Sequence, residues 1–315
     1  MKKTSWLEED KLNQIDWIKK CNSACDKWKN KSMDEISLFY SYFTVNQHQK
    51  FTEEICKKIN LQLSGTGLEI GSGPGILSNS LLKIYKKIDK IYLLEKAPNT
   101  YSLMKKVAYE NNTFDKLECV IGDFNDLKVP DNSLDFVLDF DSIHHSEDFE
   151  LTFKEIGRVL KPKGVLLCFD RAQPNYISNE QIQSMLDIEY SFEYKFENNI
   201  DINKKYTRRM DGETEPRLND WTSSAKKNNM KSEIFIFHKK SLKDFIRSLY
   251  GLIVPFSIKK LLNKGINITT HYQILLHYLF LNQINNIKLF SLDYKLKSKR
   301  SPRGKMIFLF QKKSS

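Results

Sequence analysis

Three glycines at alternate positions, Gly71, Gly73 and Gly75, follow the short apolar run Leu68-Glu69-Ile70 and precede an apolar-periodic stretch that begins at Ile76. A strand that turns into a helix through such residues exposes bare backbone, because no Cβ keeps a ligand away and positive φ costs glycine little. The helix start beyond the turn adds unpaired N–H groups suited to a carboxylate or phosphate. The pattern fits a nucleotide-like ligand. A dinucleotide fingerprint asks for a small residue three positions after the second glycine, so that helix and strand pack closely. Ile76 stands there, which argues against NAD.

The elements that must position this turn follow from the periodicity of the next hundred residues. Strands are expected at 68–71, 90–95, 117–122, 134–140 and 164–170, with helices at 76–88, 98–112 and 148–160 between them. That alternation predicts an α/β protein with a parallel sheet covered by helices on both faces. Ligands of such sheets gather where the strands end, so the strand ends carry the chemistry. The second strand ends in Glu95, placed to accept hydrogen bonds from two ribose hydroxyls. The third runs into Gly122-Asp123-Phe124, an acid for an adenine amino group with a ring beside it. The fourth ends at Phe140 and continues as Asp141-Ser142-Ile143-His144-His145, and Arg158-Val159-Leu160-Lys161-Pro162-Lys163-Gly164 leads into the fifth.

Taken in order, the glycine turn, the acid after strand two, the Gly-Asp pair, the His-His pair and the Arg-Val-Leu-Lys-Pro-x-Gly run resemble the class I S-adenosylmethionine (SAM)-dependent methyltransferases, in the branch built on the type 11 methyltransferase domain. The resemblance covers roughly residues 65–171. It implies a Rossmann-like seven-stranded sheet and SAM as cofactor, with S-adenosylhomocysteine as product. It also implies Glu69, Gly71, Gly73 and Gly75 around the methionine portion, Glu95 at the ribose, Asp123 and Phe124 at the adenine, and Phe140 near the methyl group. His145 is the candidate base after strand four, in preference to His144, and Asp141 and Arg171 are candidate acceptor contacts. Further on, 213–221 and 225–230 are similar to the family's polar loop and helix, with a sixth strand expected at 232–238 and a seventh at 304–310.

The whole chain has 315 residues and 40% hydrophobic content, enough for a sizeable core. It divides into an N-terminal helical cap (1–63), the cofactor core (64–171) and a substrate region (172–315) that completes the sheet and contains a helical insertion at about 241–290. Residues 5–30 and 34–62 read as helical, and the aromatic run Leu38-Phe39-Tyr40-Ser41-Tyr42-Phe43 reads as core or as a lid over the site. No apolar run is long enough to span a membrane and the first ten residues turn acidic, so the expected location is the cytoplasm. Five cysteines without metal spacing read as free thiols, and no metal is expected.

The net charge of +11 lies at one end: residues 241–315 hold 14 Lys and Arg against two acids. Such a surface meets phosphates or is simply solvated. The apolar runs 249–258 and 272–281 read as core or self-association, or as a contact with a lipid-linked or membrane-bound acceptor. The predicted activity is therefore methyl transfer to an oxygen, or less readily a carbon or nitrogen, of a small or carrier-linked metabolite. RNA methylation and a non-catalytic SAM-binding or partner-binding module are the rivals, and nucleic acid is disfavoured because no basic-aromatic module is visible. Tyr176, Tyr206, Arg208, Arg209, Arg217 and Trp221 are candidate acceptor contacts. The sequence chooses neither the acceptor nor the oligomeric state.

Overall fold

The computed structural model describes residues 1–8, 12, 15–173, 175, 177–239, 287–292 and 305–314. Its centre is a single sheet. Six strands come first: β1 (Lys2–Ser5), β2 (Gly65–Ile70), β3 (Ile88–Glu95), β4 (Leu117–Ile121), β5 (Leu134–Phe140) and β6 (Leu160–Arg171). Then β7 (Met230–Lys239), β8 (Ile287–Leu292) and β9 (Lys305–Lys312) extend it. The spatial order is β1-β4-β3-β2-β5-β6-β9-β7-β8. Only β9 runs against its neighbours, pairing antiparallel with β6 and β7. Strand order reverses between β2 and β5, so the crossovers diverge there and open a crevice at the strands' C-terminal ends.

Helices α1 (Asp16–Trp28), α2 (Met33–Ser41) and α3 (Val45–Lys58) precede the sheet core, α4 (Ile76–Ile84), α5 (Thr100–Glu110) and α6 (Phe149–Val159) connect its strands, and α7 (Asn179–Leu186), α8 (Phe192–Glu197) and α9 (Leu218–Lys227) follow β6. The sheet buries a core on each face. On one, Ile18, Phe43, Phe51 and Ile55 of the N-terminal segment meet Leu81, Leu93 and Leu138. On the other, Phe153 and Ile156 of α6 and Leu218 and Trp221 of α9 meet Val137, Phe308 and Phe310. The N-terminal helices thus complete the core on that face of the sheet.

Several expectations are corrected. Among the described residues the sheet has nine strands where seven were expected. Both additions sit at sheet edges, where one ladder suffices: Lys2–Ser5 pairs with β4, and Ile287–Leu292, expected in a helical insertion, pairs with β7. The chain also opens as strand where helix was expected from residue 5. The stretch 34–62 is two helices, because Tyr42 takes φ of 67° and the Thr44–Gln47 capping box starts α3. The insertion's apolar runs 249–258 and 272–281, and Tyr176, lie outside the described residues.

Candidate active site

The turn after β2 is held from both sides. Gly71 has φ of 53°, and a Cβ there would lie 2.4 Å from Cβ of Ser142, whose Oγ donates to Gly71 O at 2.8 Å. Only a glycine lets the β2 and β5 turns pack this closely. Glu69 is buried, accepts from Ser78 N at 3.1 Å and also from Ser78 Oγ, so its carboxylate ties β2 to the start of α4. Burial pushes its pKa up to about 7. Gly75 is turned towards Leu93 and Asn79 and supplies the left-handed N-cap of α4.

At the end of β3, Glu95 accepts Gly73 N at 3.0 Å through one carboxylate oxygen, and Lys96 N at 2.8 Å and Ala97 N at 3.3 Å through the other. A carboxylate has about four acceptor positions, so Glu95 fixes the glycine turn and keeps capacity for a ligand hydroxyl. Burial raises its pKa. Past β4, Asp123 pairs with Lys96 at 2.7 Å, and Lys96 also meets Glu147 at 2.9 Å.

The loop after β5 carries the titratable groups. Asp141 has φ of 63° and accepts from Tyr42 Oη. His144 is buried; its Nδ1 lies 2.6 Å from Asp170 Oδ1, and its main-chain N donates to Asp170 Oδ2 at 3.1 Å. His145 is half-buried, with Nδ1 3.0 Å from Gly212 O. Burial holds both imidazoles well below the usual histidine range, for His145 with His144 and Arg171 adding to the effect. A carbonyl only accepts, so Nδ1 of neutral His145 carries the proton and Nε2 carries the lone pair.

These residues converge on one cavity of about 660 Å³. Glu69, Gly71, Gly73, Glu95, Asp123, Phe124, Phe140 and His145 line it; Gly75 does not and acts on the turn alone. Asp141 also lines it, whereas His144 is packed behind the wall. The aromatic run of the N-terminal segment divides: Phe39, Tyr40 and Tyr42 face the cavity, while Phe43 enters the core. Trp17, Lys20, Cys21 and Cys25 of α1 and Tyr194, Glu197, Asn198, Asp211 and Gly212 form the remaining roof. Roof residues of α1 and of 194–212 lie outside any motif; those of 194–212 fall in the expected substrate region, and α1 was expected only as helix.

Most expected acceptor contacts are used elsewhere. Trp221 is fully buried, stacked on Phe308 at 4.5 Å between ring centroids. Arg171 pairs with Glu213, Arg208 with Glu215, Arg209 with Asp187 at 2.9 Å, and Arg217 Nε donates to Ile177 O at 2.7 Å. Tyr206 is buried on Asp211 at 2.8 Å. A polar sequence around these residues invited a ligand reading; the fold gives the polar ones protein partners, close in sequence for Tyr206 and Arg208 and far for Arg171, Arg209 and Arg217.

Residues 68–168 match the family model of a methyltransferase domain. That match spans about a third of the chain. The chain is 27% identical over 156 residues to the demethylmenaquinone methyltransferase of Oceanobacillus iheyensis, covering 50% of this chain and 62% of that protein. It is also 27% identical over 173 residues to the ubiquinone/menaquinone biosynthesis C-methyltransferase UbiE of Rickettsia massiliae, covering 53% and 69%. The chain thus spans under two thirds of the first relative's length. In fold, a Galdieria sulphuraria protein assigned as a sarcosine dimethylglycine methyltransferase aligns with TM-score 0.50 at 20% identity, covering 85% of this chain and 86% of that one. The 4+2 cyclase SpnF aligns equally well at 11% identity, covering 99% and 98%. Because a cyclase shares the fold, the activity of this chain has to be argued from its site. Among the described residues, no helix is long and apolar enough to cross a membrane.

Proposed function

We propose that the protein is a SAM-dependent methyltransferase that acts on a hydroxyl-bearing acceptor, at the oxygen or at the carbon beside it. The observation that carries this reading is the single cavity that runs from the glycine turn past Glu95 and Asp123–Phe124 to His145. Its parts fit the cofactor: bare backbone at Gly71 and Gly73, an acceptor at Glu95 for ribose, and a ring at Phe124 for adenine. The bound cofactor would supply an electrophilic methyl group. The chain's own task is then to align the acceptor, exclude water and take a proton.

Nε2 of His145 is suited to that last task, since a neutral imidazole accepts a hydroxyl proton and the resulting oxyanion donates density to its oxygen or the neighbouring carbon. Similarity to a demethylmenaquinone methyltransferase and to a ubiquinone/menaquinone biosynthesis C-methyltransferase favours a ring acceptor. The aromatic roof of Trp17, Tyr40, Tyr42 and Tyr194 supports the same class. The wall's two lysines both face carboxylates, Lys20 at Asp211 and Lys96 at Asp123 and Glu147. An acid-rich wall of this kind favours a neutral acceptor over a polyanion such as RNA.

Calorimetric titration of SAM and S-adenosylhomocysteine into wild type and Glu95→Ala tests the reading. The expected result is micromolar binding that the substitution weakens by about 10-fold or more. A folded wild type that binds neither compound would overturn it.

A further inference from the structure

The roof of the cavity joins three distant parts of the chain at Asp211. Its carboxylate accepts from Lys20 Nζ of α1, from Tyr194 Oη at 3.0 Å and from Tyr206 Oη at 2.8 Å. The side chains of Lys20 and Asp211 are only 16% and 5% exposed, so this ion pair is held away from water. A second bridge runs beside it, from Asn199 Nδ2 to Ser23 Oγ at 2.6 Å. Together they pin α1 to the segment that follows α8.

The residue after Asp211 faces the proposed base. Gly212 takes φ of 75°, which turns its carbonyl onto Nδ1 of His145, and a Cβ there would stand 3.9 Å from that same nitrogen. Two residues on, Thr214 N donates to His144 O at 2.9 Å. The strip 211–214 therefore lies along the histidine loop, fixed at one end by that loop and at the other by α1.

We propose that Lys20 and Asp211 form a latch through which the seated N-terminal helices set the tautomer and orientation of His145. Asp211 is a positioning residue that acts through Gly212, and Lys20 couples it to α1. When the pair is formed, Gly212 O holds Nδ1–H and Nε2 is left to accept; when α1 lifts, Asp211 keeps Tyr194 and Tyr206 but loses its cation, and the strip that holds the imidazole is no longer tied to the roof helix. The base is thus assembled only under a closed roof, where water is excluded. This rests on the reading of His145 as the proton acceptor in methyl transfer.

The test is nitrogen NMR of the full chain labelled at histidine, with His145→Gln used to assign the signal. Wild type, Lys20→Met, Lys20→Arg, Asp211→Asn and the Lys20→Met/Asp211→Asn pair are compared at pH 7.5, a choice of about one unit above the ordinary histidine pKa. Wild type is expected to show one dominant form with a protonated Nδ1 and a pyridine-type Nε2. In Lys20→Met and Asp211→Asn that form should fall by about twofold or more, and Lys20→Arg should restore it. The uncharged pair keeps the test open if a single change leaves a buried charge and unfolds the protein. An unchanged His145 signal in the folded variants would overturn the latch. SAM titrated into the same samples separates the two ideas: a tautomer change in the variants, with no SAM binding to the wild type, keeps the latch and removes the methyltransferase reading.

Discussion

Glu95 shows how one side chain carries two duties. Three main-chain N–H groups converge on its carboxylate, one of them from Gly73, so Glu95→Ala removes a ligand acceptor and also loosens the glycine turn. Glu95→Gln keeps an acceptor oxygen and the side-chain shape. The alanine variant is therefore expected to lose more SAM affinity than the glutamine variant, by about 1 kcal/mol or more, as calorimetry on both would show. Gly71→Ala is harsher, since the methyl group meets Ser142 and a left-handed backbone at once. It should destabilise the protein by about 1–3 kcal/mol, read from urea midpoints.

His48 makes a pH prediction with a definite sign. Its Nδ1 lies 2.9 Å from Ser80 Oγ, its ring packs among Phe43, Phe51 and Phe140, and burial pushes its pKa from 6.5 down to about 3. Because the unfolded chain binds the proton more readily, the stability is fully present above pH 6.5 and is lost as pH falls towards 3. The slope for one such group is about 1.4 kcal/mol per pH unit. Urea unfolding between pH 7 and 5 should show this loss, a choice of range within about two units of the ordinary histidine pKa, and His48→Asn should reduce it by one group's share while His144 and His145 keep theirs.

At the level of elements, what was legible follows from locality. The glycine turn, the acids closing β3 and β4 and the histidines after β5 are short-range patterns, and the structure gathers all but Gly75 and His144 onto one wall. Apolar periodicity likewise marked α4, α5 and α6, although each helix is shorter than its apolar run because the last residues turn to reach the next strand. The capping boxes Ser32–Glu35 and Thr44–Gln47 start α2 and α3, a division that the expected single helical stretch at 34–62 missed. Side chains whose partners come from far away were not legible. Trp221 sits between Phe149 and Phe308 across α6, α9 and β9, and nothing near it in sequence marks it as core. Trp221→Ala is expected to cost about 3–5 kcal/mol in thermal or urea unfolding, whereas a ligand-stacking residue would change binding and spare stability.

The molecule as a whole is one sheet with helices on both faces, and its site belongs to no single segment. The cofactor wall comes from β2 to β5, the roof from α1, α2 and the stretch after α8. Removing the cap would therefore open the cavity and also strip Phe43, Phe51 and Ile55 from the core. A chain beginning at residue 64 is expected to be poorly soluble as well as inactive in SAM binding, as light scattering and calorimetry on that fragment would report.

The edge strand β1 has a consequence for synthesis. Lys2 stands opposite Glu118, and Trp6 N donates to Ile121 O at 2.8 Å. A ribosome makes this strand first and its ladder partner only after β2 and β3 have been made. Until then, Lys2–Ser5 waits as an unpaired extended segment. Its two lysines are a safeguard for that interval, since charged edge residues discourage pairing with another nascent chain, and the N-terminus can close the sheet only after the cofactor half has been translated.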